Sequence, residues 1–298
     1  MPIVTTPDLI VHYRHAGLGD QTLVLLHGNY ASSRWWTPQL DRLPASVQAY
    51  APDLRGCGGK EARTQFKRRT SRLTLDDLVD DLAQFVTALH LTNFILVGHS
   101  LGGVIAIEYA LAHQDMLRGL VLVDTAPPEG LSLAASLARP LAVPLGFGNR
   151  MLMQRALRQV GLPRRGQLAQ DLVSDALSTD PNQYVAFSEA LKGWNVEAAL
   201  PSLRVPTLLI WGQNDKIMPG HIGKRYLDLL PRAQRVTIPG AGHSPQVEQP
   251  DEFAAVLQDF VTRLGTSATK PQQARQLSFR ERVLTGITHQ ISNITQRR

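Results

Sequence analysis

Cysteine is almost absent: the 298 residues hold one, Cys57. An intrachain disulfide is therefore impossible, and a reducing compartment, the cytoplasm, is the expected location. Long apolar runs are missing as well. No stretch approaches the roughly 18 consecutive apolar residues of a membrane-spanning helix. The opening residues 1–8 have neither the basic nor the apolar region of a secretory leader. The HExxH and HxxEH zinc spacings are absent, and so is the G-x-x-x-x-G-K-[ST] phosphate loop. No metal and no nucleotide or other cofactor is expected. Internal repeats and low-complexity tracts are also lacking.

Net charge is small outside the C-terminal tail. The formal net charge is +6. Residues 265–298 hold Lys270, Arg275, Arg280, Arg282, Arg297 and Arg298 against Glu281, a net +5, which leaves +1 for the rest. The basic balance thus belongs to the tail and implies no nucleic-acid partner.

With 43% hydrophobic residues, the chain can bury a large core. Leu23-Val24-Leu25-Leu26, Asn93-Phe94-Ile95-Leu96-Val97 and Leu120-Val121-Leu122-Val123 are continuous apolar runs, as in strands buried on both faces. Between them lie helical patterns: Trp35 to Leu43, with Pro38 in its first turn, and Leu75-Leu78-Leu82-Phe85-Leu89 behind a Thr74 N-cap. This alternation predicts an α/β fold with a mostly parallel sheet and helices on both faces. It stops after Asp124. Residues 127–200 read as an all-helical insertion divided by prolines. Alternation resumes with the strand ending at Trp211, a helix near 220–230, the strand 235–238 and a helix over about 250–264. The expected organisation is a core of residues 1–126 and 201–264, a helical cap of 127–200, and a tail of 265–298.

The most informative stretch is Gly98-His99-Ser100-Leu101-Gly102, between a strand and a helix beginning near Gly103. This is the G-x-S-x-G elbow in its required context, with Ser on a strained turn that lifts its Oγ above the sheet. Gly98 and Gly102 let strand and helix approach closely. The opening turn of the helix directs free N–H groups at a reacting oxygen. A serine hydroxyl needs a base, and the base needs an orienting acid. Asp215 and His243 each follow a strand, in Trp211-Gly212-Gln213-Asn214-Asp215 and Pro239-Gly240-Ala241-Gly242-His243. Both fall at the carboxyl edge of the sheet with Ser100. Asp124 also ends a strand and is an alternative acid. His27 and His99 read as backbone supports, and Asp53 and Arg55 as braces of a loop.

Taken together, His27-Gly28, Asp53-Leu54-Arg55-Gly56, the elbow, Gly212-Gln213-Asn214-Asp215 and Gly242-His243 make the chain resemble an α/β-hydrolase with a helical cap, over roughly residues 20–264. The resemblance implies Ser100 as nucleophile, His243 as base, Asp215 as acid, and an oxyanion hole of the Leu101 and Asn29 N–H groups. Ser at the elbow points away from the haloalkane dehalogenase and epoxide hydrolase branches. After His27-Gly28 comes Asn29-Tyr30-Ala31 rather than the glycine-rich loop of carbon–carbon bond hydrolases, which points away from that branch. The HGGG of larger lipases is missing too.

The expected reaction is hydrolysis of a carboxylic ester or lactone through an acyl-enzyme. Perhydrolysis, acyl transfer and carbon–carbon cleavage remain alternatives for the same triad, and so does a slow, ligand-binding regulatory protein. Leu131, Leu133, Leu137, Leu141, Val143, Phe147, Met151, Met153 and Phe187 supply an apolar cap, most of them as its own core, which suits a small to medium apolar acyl group. In the tail, residues 265–276 read as a linker. Ser278-Phe279-Arg280-Glu281 then caps a basic amphipathic helix, for which docking on a protein surface, or simple disorder, ranks ahead of an anionic membrane. The oligomeric state is left open.

Overall fold

The computed structural model describes residues 1–60, 62–67, 73–130 and 149–266. Eight strands carry the main sheet: β1 (Ile3–Thr5), β2 (Leu9–Gly17), β3 (Gln21–Leu26), β4 (Val47–Pro52), β5 (Phe94–His99), β6 (Leu117–Val123), β7 (Thr207–Gly212) and β8 (Ala233–Ile238). Their order is β1-β2-β4-β3-β5-β6-β7-β8. The pairs β1–β2 and β2–β4 are antiparallel, and every pair from β4 to β8 is parallel. The two-residue strand Gln65–Phe66 joins β2 as a ninth member.

The apolar runs explain the two-sided burial. Successive residues of a strand point to opposite faces. Val24, Leu26, Leu96, Leu120, Leu122 and Leu209 enter one core, while Leu23, Leu25, Ile95, Val97, Val121, Leu208 and Ile210 enter the other. The first core is covered by the helices Leu75–Ala88, Leu101–Ala112 and His221–Leu229; the second is covered by the long helix Pro250–Thr266. Helices in chain order are α1 (Thr37–Leu40), α2 (Leu75–Ala88), α3 (Leu101–Ala112), α4 (Arg150–Gln159), α5 (Gln167–Ser178), α6 (Pro181–Ala190), α7 (His221–Leu229), α8 (Pro245–Glu248) and α9 (Pro250–Thr266). On α9, Phe253, Leu257, Phe260 and Val261 form the buried stripe. Each such side chain contributes about 1.5–3 kcal/mol when fully buried.

Local signals account for the helix starts. Thr74 Oγ1 accepts the Asp77 N–H, and the Asp77 carboxylate accepts the Thr74 N–H, a capping box at the head of α2. The single helix read over residues 35–43 is instead two pieces. Ser32 caps a 3-10 turn over Ser33–Trp36, and α1 makes one further turn. Pro38 has no N–H to carry an α-helical ladder across the junction. Helix α3 begins at Leu101, two residues earlier than the sequence pattern suggested.

Between β6 and β7 the described residues form α4, α5 and α6 and no strand. Met153, Leu157, Ala169, Leu172, Val173 and Ala176 pack on Ala31 and Trp35 beside the sheet edge. Tyr184 and Phe187 of α6 instead join the main core. Met1–Leu264 form one compact unit that includes these helices. The apolar positions expected between Leu131 and Phe147 lie outside the described residues, as do the linker, capping box and amphipathic stripe of the tail. No described helix is long and apolar enough to cross a membrane.

Candidate active site

Ser100 occupies the turn between β5 and α3 with φ 53° and ψ −114°. A positive φ at a non-glycine residue costs on the order of 1–3 kcal/mol and persists only where its surroundings enforce it. Here the Ser100 N–H donates to the Val123 carbonyl at 2.9 Å, and Thr125 Oγ1 donates to the Ser100 carbonyl at 3.1 Å. The neighbouring glycines are required by contact. A Cβ on Gly98 would stand 2.3 Å from the Gly102 carbonyl oxygen, and one on Gly102 would stand 2.6 Å from that of Leu26. The α3 helix can therefore start directly against β3 and β5, with the Leu101 N–H in its unpaired first turn.

Ser100 Oγ lies 3.2 Å from His243 Nε2, and His243 Nδ1 lies 2.8 Å from Asp215 Oδ2. The ring nitrogen Nδ1 donates to the carboxylate, so Nε2 is left to accept from the serine hydroxyl. Asp215 Oδ1 accepts the N–H groups of Ile217 and Met218 at 2.7 and 3.0 Å. Burial alone would raise the Asp215 pKa. The bonds from His243 and from the Met218 and Ile217 N–H groups outweigh it and hold the carboxyl below its ordinary value.

Asp124 does not reach His243. Its Oδ1 accepts the Gly212 N–H at 3.0 Å, which ties the end of β6 to the end of β7. Complete burial and the adjacent Asp215 push its pKa well above the usual carboxylate range. Of the two acids left open by the sequence, the fold brings Asp215 to the imidazole and keeps Asp124 in the frame.

The other expectations sort in the same way. His27 is buried between Gly28 O, 2.8 Å from Nδ1, and the Leu54 N–H, which donates to Nε2 at 3.0 Å. Burial lowers its pKa to about 4. His99 Nε2 donates to the His243 carbonyl at 2.7 Å, and burial first, then the nearby His243, lowers its pKa to about 3. Arg55 pairs with Asp81, and Asp53 accepts the Ser33 N–H at 2.6 Å, so both brace loops. Asn29 lines the cavity; its Nδ2 donates to the Tyr184 carbonyl at 3.4 Å and its Oδ1 accepts the Tyr30 N–H at 3.0 Å.

Above Ser100 and His243 lies a cavity of about 230 Å³. Its walls are Tyr30, Ala31, Trp35, Met153, Ala156, Leu157, Val160 and Ile217 with Asn29, His99 and Ser244. No lysine, arginine, aspartate or glutamate is among these lining residues. Met153 therefore contributes to the site, whereas Phe187 is core and Met151 is 77% exposed. Tyr30, Val160 and Ile217 carry no motif, and only the folded chain reveals their place. Tyr30 has a φ of 60°, a strained position at the cavity wall. Among the described residues, no group of three or more His, Cys, Asp or Glu could hold a metal ion.

Comparison with known proteins agrees with this architecture. Residues 23–256 match the alpha/beta hydrolase family. A pimeloyl-[acyl-carrier protein] methyl ester esterase of Aromatoleum aromaticum is 29% identical over 255 residues, 80% of this chain and 97% of that protein. A 2-hydroxy-6-oxononadienedioate/2-hydroxy-6-oxononatrienedioate hydrolase of Paraburkholderia phymatum is also 29% identical, over 85% of this chain and 91% of that protein. The loop after Gly28 therefore does not separate the chain from the latter branch by overall similarity. The solved structure of a thermophilic esterase from Thermogutta terrifontis superposes with a TM-score of 0.75 at 25% identity, covering 88% of this chain and 98% of that one. The serine elbow, the parallel sheet and the match over most of its length make this chain a member of the alpha/beta hydrolase family.

Proposed function

We propose that the protein is a serine hydrolase that cleaves a carboxylic ester or lactone with a small, uncharged acyl group. The observation that carries this reading is the continuous hydrogen-bonded path from Ser100 Oγ through His243 to Asp215, opening into an apolar cavity. His243 Nε2 takes the Ser100 proton as Oγ attacks the carbonyl carbon. The developing oxyanion rests on the Leu101 and Asn29 N–H groups, each such donor contributing about 3 kcal/mol to the transition state. His243 then protonates the leaving alkoxide. A water that gives its proton to His243 hydrolyses the acyl-enzyme, and no cofactor enters the cycle. Asp215, ionised throughout, orients the imidazole and stabilises its charged form.

The lining supports the substrate class. A dioate such as the one named for the Paraburkholderia relative carries two carboxylates, and the lining residues offer no cationic partner. An ester or lactone needs none. At about 230 Å³ the cavity falls below the range for drug-sized ligands, in favour of a short acyl chain. Helices α4–α6 act as the cap of residues 127–200 in this reading. The single cysteine, Cys57, is buried and free, which accords with a cytoplasmic location. The test is direct. Ser100→Ala should reduce turnover of a short p-nitrophenyl ester by about 10⁵-fold or more. Undiminished hydrolysis would exclude Ser100 as the nucleophile.

A further inference from the structure

The peptide that carries His243 is gripped by a residue outside the triad. Glu248 ends the one-turn helix α8, and its carboxylate folds back over that turn. Oε2 accepts the Gly242 N–H at 3.0 Å and Oε1 accepts the Ser244 N–H at 2.9 Å. These two N–H groups flank His243. The carbonyl of His243 itself accepts His99 Nε2–H at 2.7 Å. The backbone is thus held on both sides and in the middle.

The surroundings are shaped to fit this carboxylate. A Cβ on Gly242 would stand 3.1 Å from Glu248 Oε2. Gly161, with φ 97°, lies over the same place; a Cβ there would meet Glu248 Oε1 at 2.6 Å and Ser244 Cβ at 2.7 Å. The Ser244 hydroxyl donates to the Val160 carbonyl, so the helical segment between β6 and β7 closes over the grip.

We propose that Glu248 is a positioning residue for the base, holding residues 242–244 so that His243 Nε2 stays within reach of Ser100 Oγ. This rests on the reading of His243 as the base. The physical case is one of geometry. The imidazole must keep 3.2 Å to Ser100 and 2.8 Å to Asp215 together. A displacement of about 1 Å at such a site costs on the order of 10²-fold in rate. Hydrogen bonds to a carboxylate are shorter and stronger than neutral ones, so one ionised side chain spanning two N–H groups fixes the loop better than water would.

The experiment compares Glu248→Ala and Glu248→Gln with wild type on a short p-nitrophenyl ester, with thermal unfolding measured in parallel. Glu248→Ala should lower kcat about 100-fold with KM within about twofold, because the cavity is unaltered. Glu248→Gln keeps one amide oxygen as acceptor and should recover about tenfold of that loss. The His243 Nδ1 proton resonance reads the His243–Asp215 bond without turnover. It should be present in wild type and broadened or lost in Glu248→Ala. A lower melting temperature with kcat and the resonance unchanged would reduce Glu248 to a helix-turn stabiliser and overturn the proposal. Should Glu248→Ala not fold, unchanged kcat in Glu248→Gln does the same. If wild type hydrolyses no ester yet the resonance depends on Glu248, the functional reading fails and the positioning role stands.

Discussion

The carboxyl edge of the sheet and the helical segment over it are built on different physical terms. At the edge, the atoms that matter are held by short-range necessity. Strands β3 and β5 are buried on both faces, Gly98 and Gly102 leave no room for a Cβ, and Ser100 is forced to a positive φ. In the helical segment, α4 and α5 present an apolar stripe to Ala31 and Trp35 while Met151 and Leu152 remain exposed. One region defines a reaction geometry, with the imidazole of His243 3.2 Å from Ser100 Oγ and 2.8 Å from Asp215 Oδ2. The other defines a volume. Chemistry and specificity should therefore respond to substitution separately, and four variants test that separation.

The largest effect belongs to the edge. Asp215→Asn leaves the fold intact but offers His243 an amide in place of a carboxylate, and should lower kcat about 10⁴-fold. Asp124→Asn, which can still accept the Gly212 N–H, should stay within about tenfold of wild type. Equal losses in a steady-state assay of the two variants would erase the distinction between acid and frame.

The frame beneath the edge should show in pH rather than in rate. His27 is neutral when folded, with its pKa lowered to about 4 against about 6.5 when unfolded. Between those values the unfolded chain binds more protons. The stabilising contribution of His27 is therefore complete above pH 6.5 and is lost as pH falls toward 4, by about 3 kcal/mol. Glutamine can supply the acceptor for the Leu54 N–H without titrating. The stability advantage of wild type over His27→Gln should shrink by about that amount between pH 7 and pH 4 in urea unfolding. A constant difference across that range would contradict the assignment.

The smallest effect belongs to the helical segment. Met153 is buried on the cavity wall. Met153→Ala should cost about 2 kcal/mol of stability, the low end for such a truncation because the site already borders a void. It should shift the preferred acyl chain toward longer esters, with kcat on the short ester within about threefold. A loss of kcat comparable to that of Asp215→Asn would mean that α4 takes part in the chemistry and that the two regions are not separable.

Much of the edge is legible in the chain because its rules are local. Thr74 with Asp77 announces α2, and the Val97-Gly98-His99-Ser100 passage announces the end of a buried strand. The 3-10 turn at Ser33–Trp36 was hidden, since Ser32 and Pro38 together divide what looks like a single helical pattern. In the helical segment, the sequence marks Met153 and Phe187 as apolar positions but not which surface each meets. Met153 borders the cavity, as does Leu157, while Phe187 enters the main core.

The sequence by itself determined the alternation of strand and helix, the elbow with its glycines, and the placement of Ser100, Asp215 and His243 at strand ends. Each follows from contacts between residues a few positions apart. Only the tertiary structure decided which acid faces His243, that Glu248 grips the peptides either side of it, and that Tyr30, Val160 and Ile217 wall the cavity. Asp124 and Asp215 are alike as strand-end carboxylates. They differ in direction, because Asp124 turns toward the Gly212 N–H and Asp215 toward Nδ1 of the imidazole, and direction is set by how β6, β7 and β8 lie side by side in the sheet.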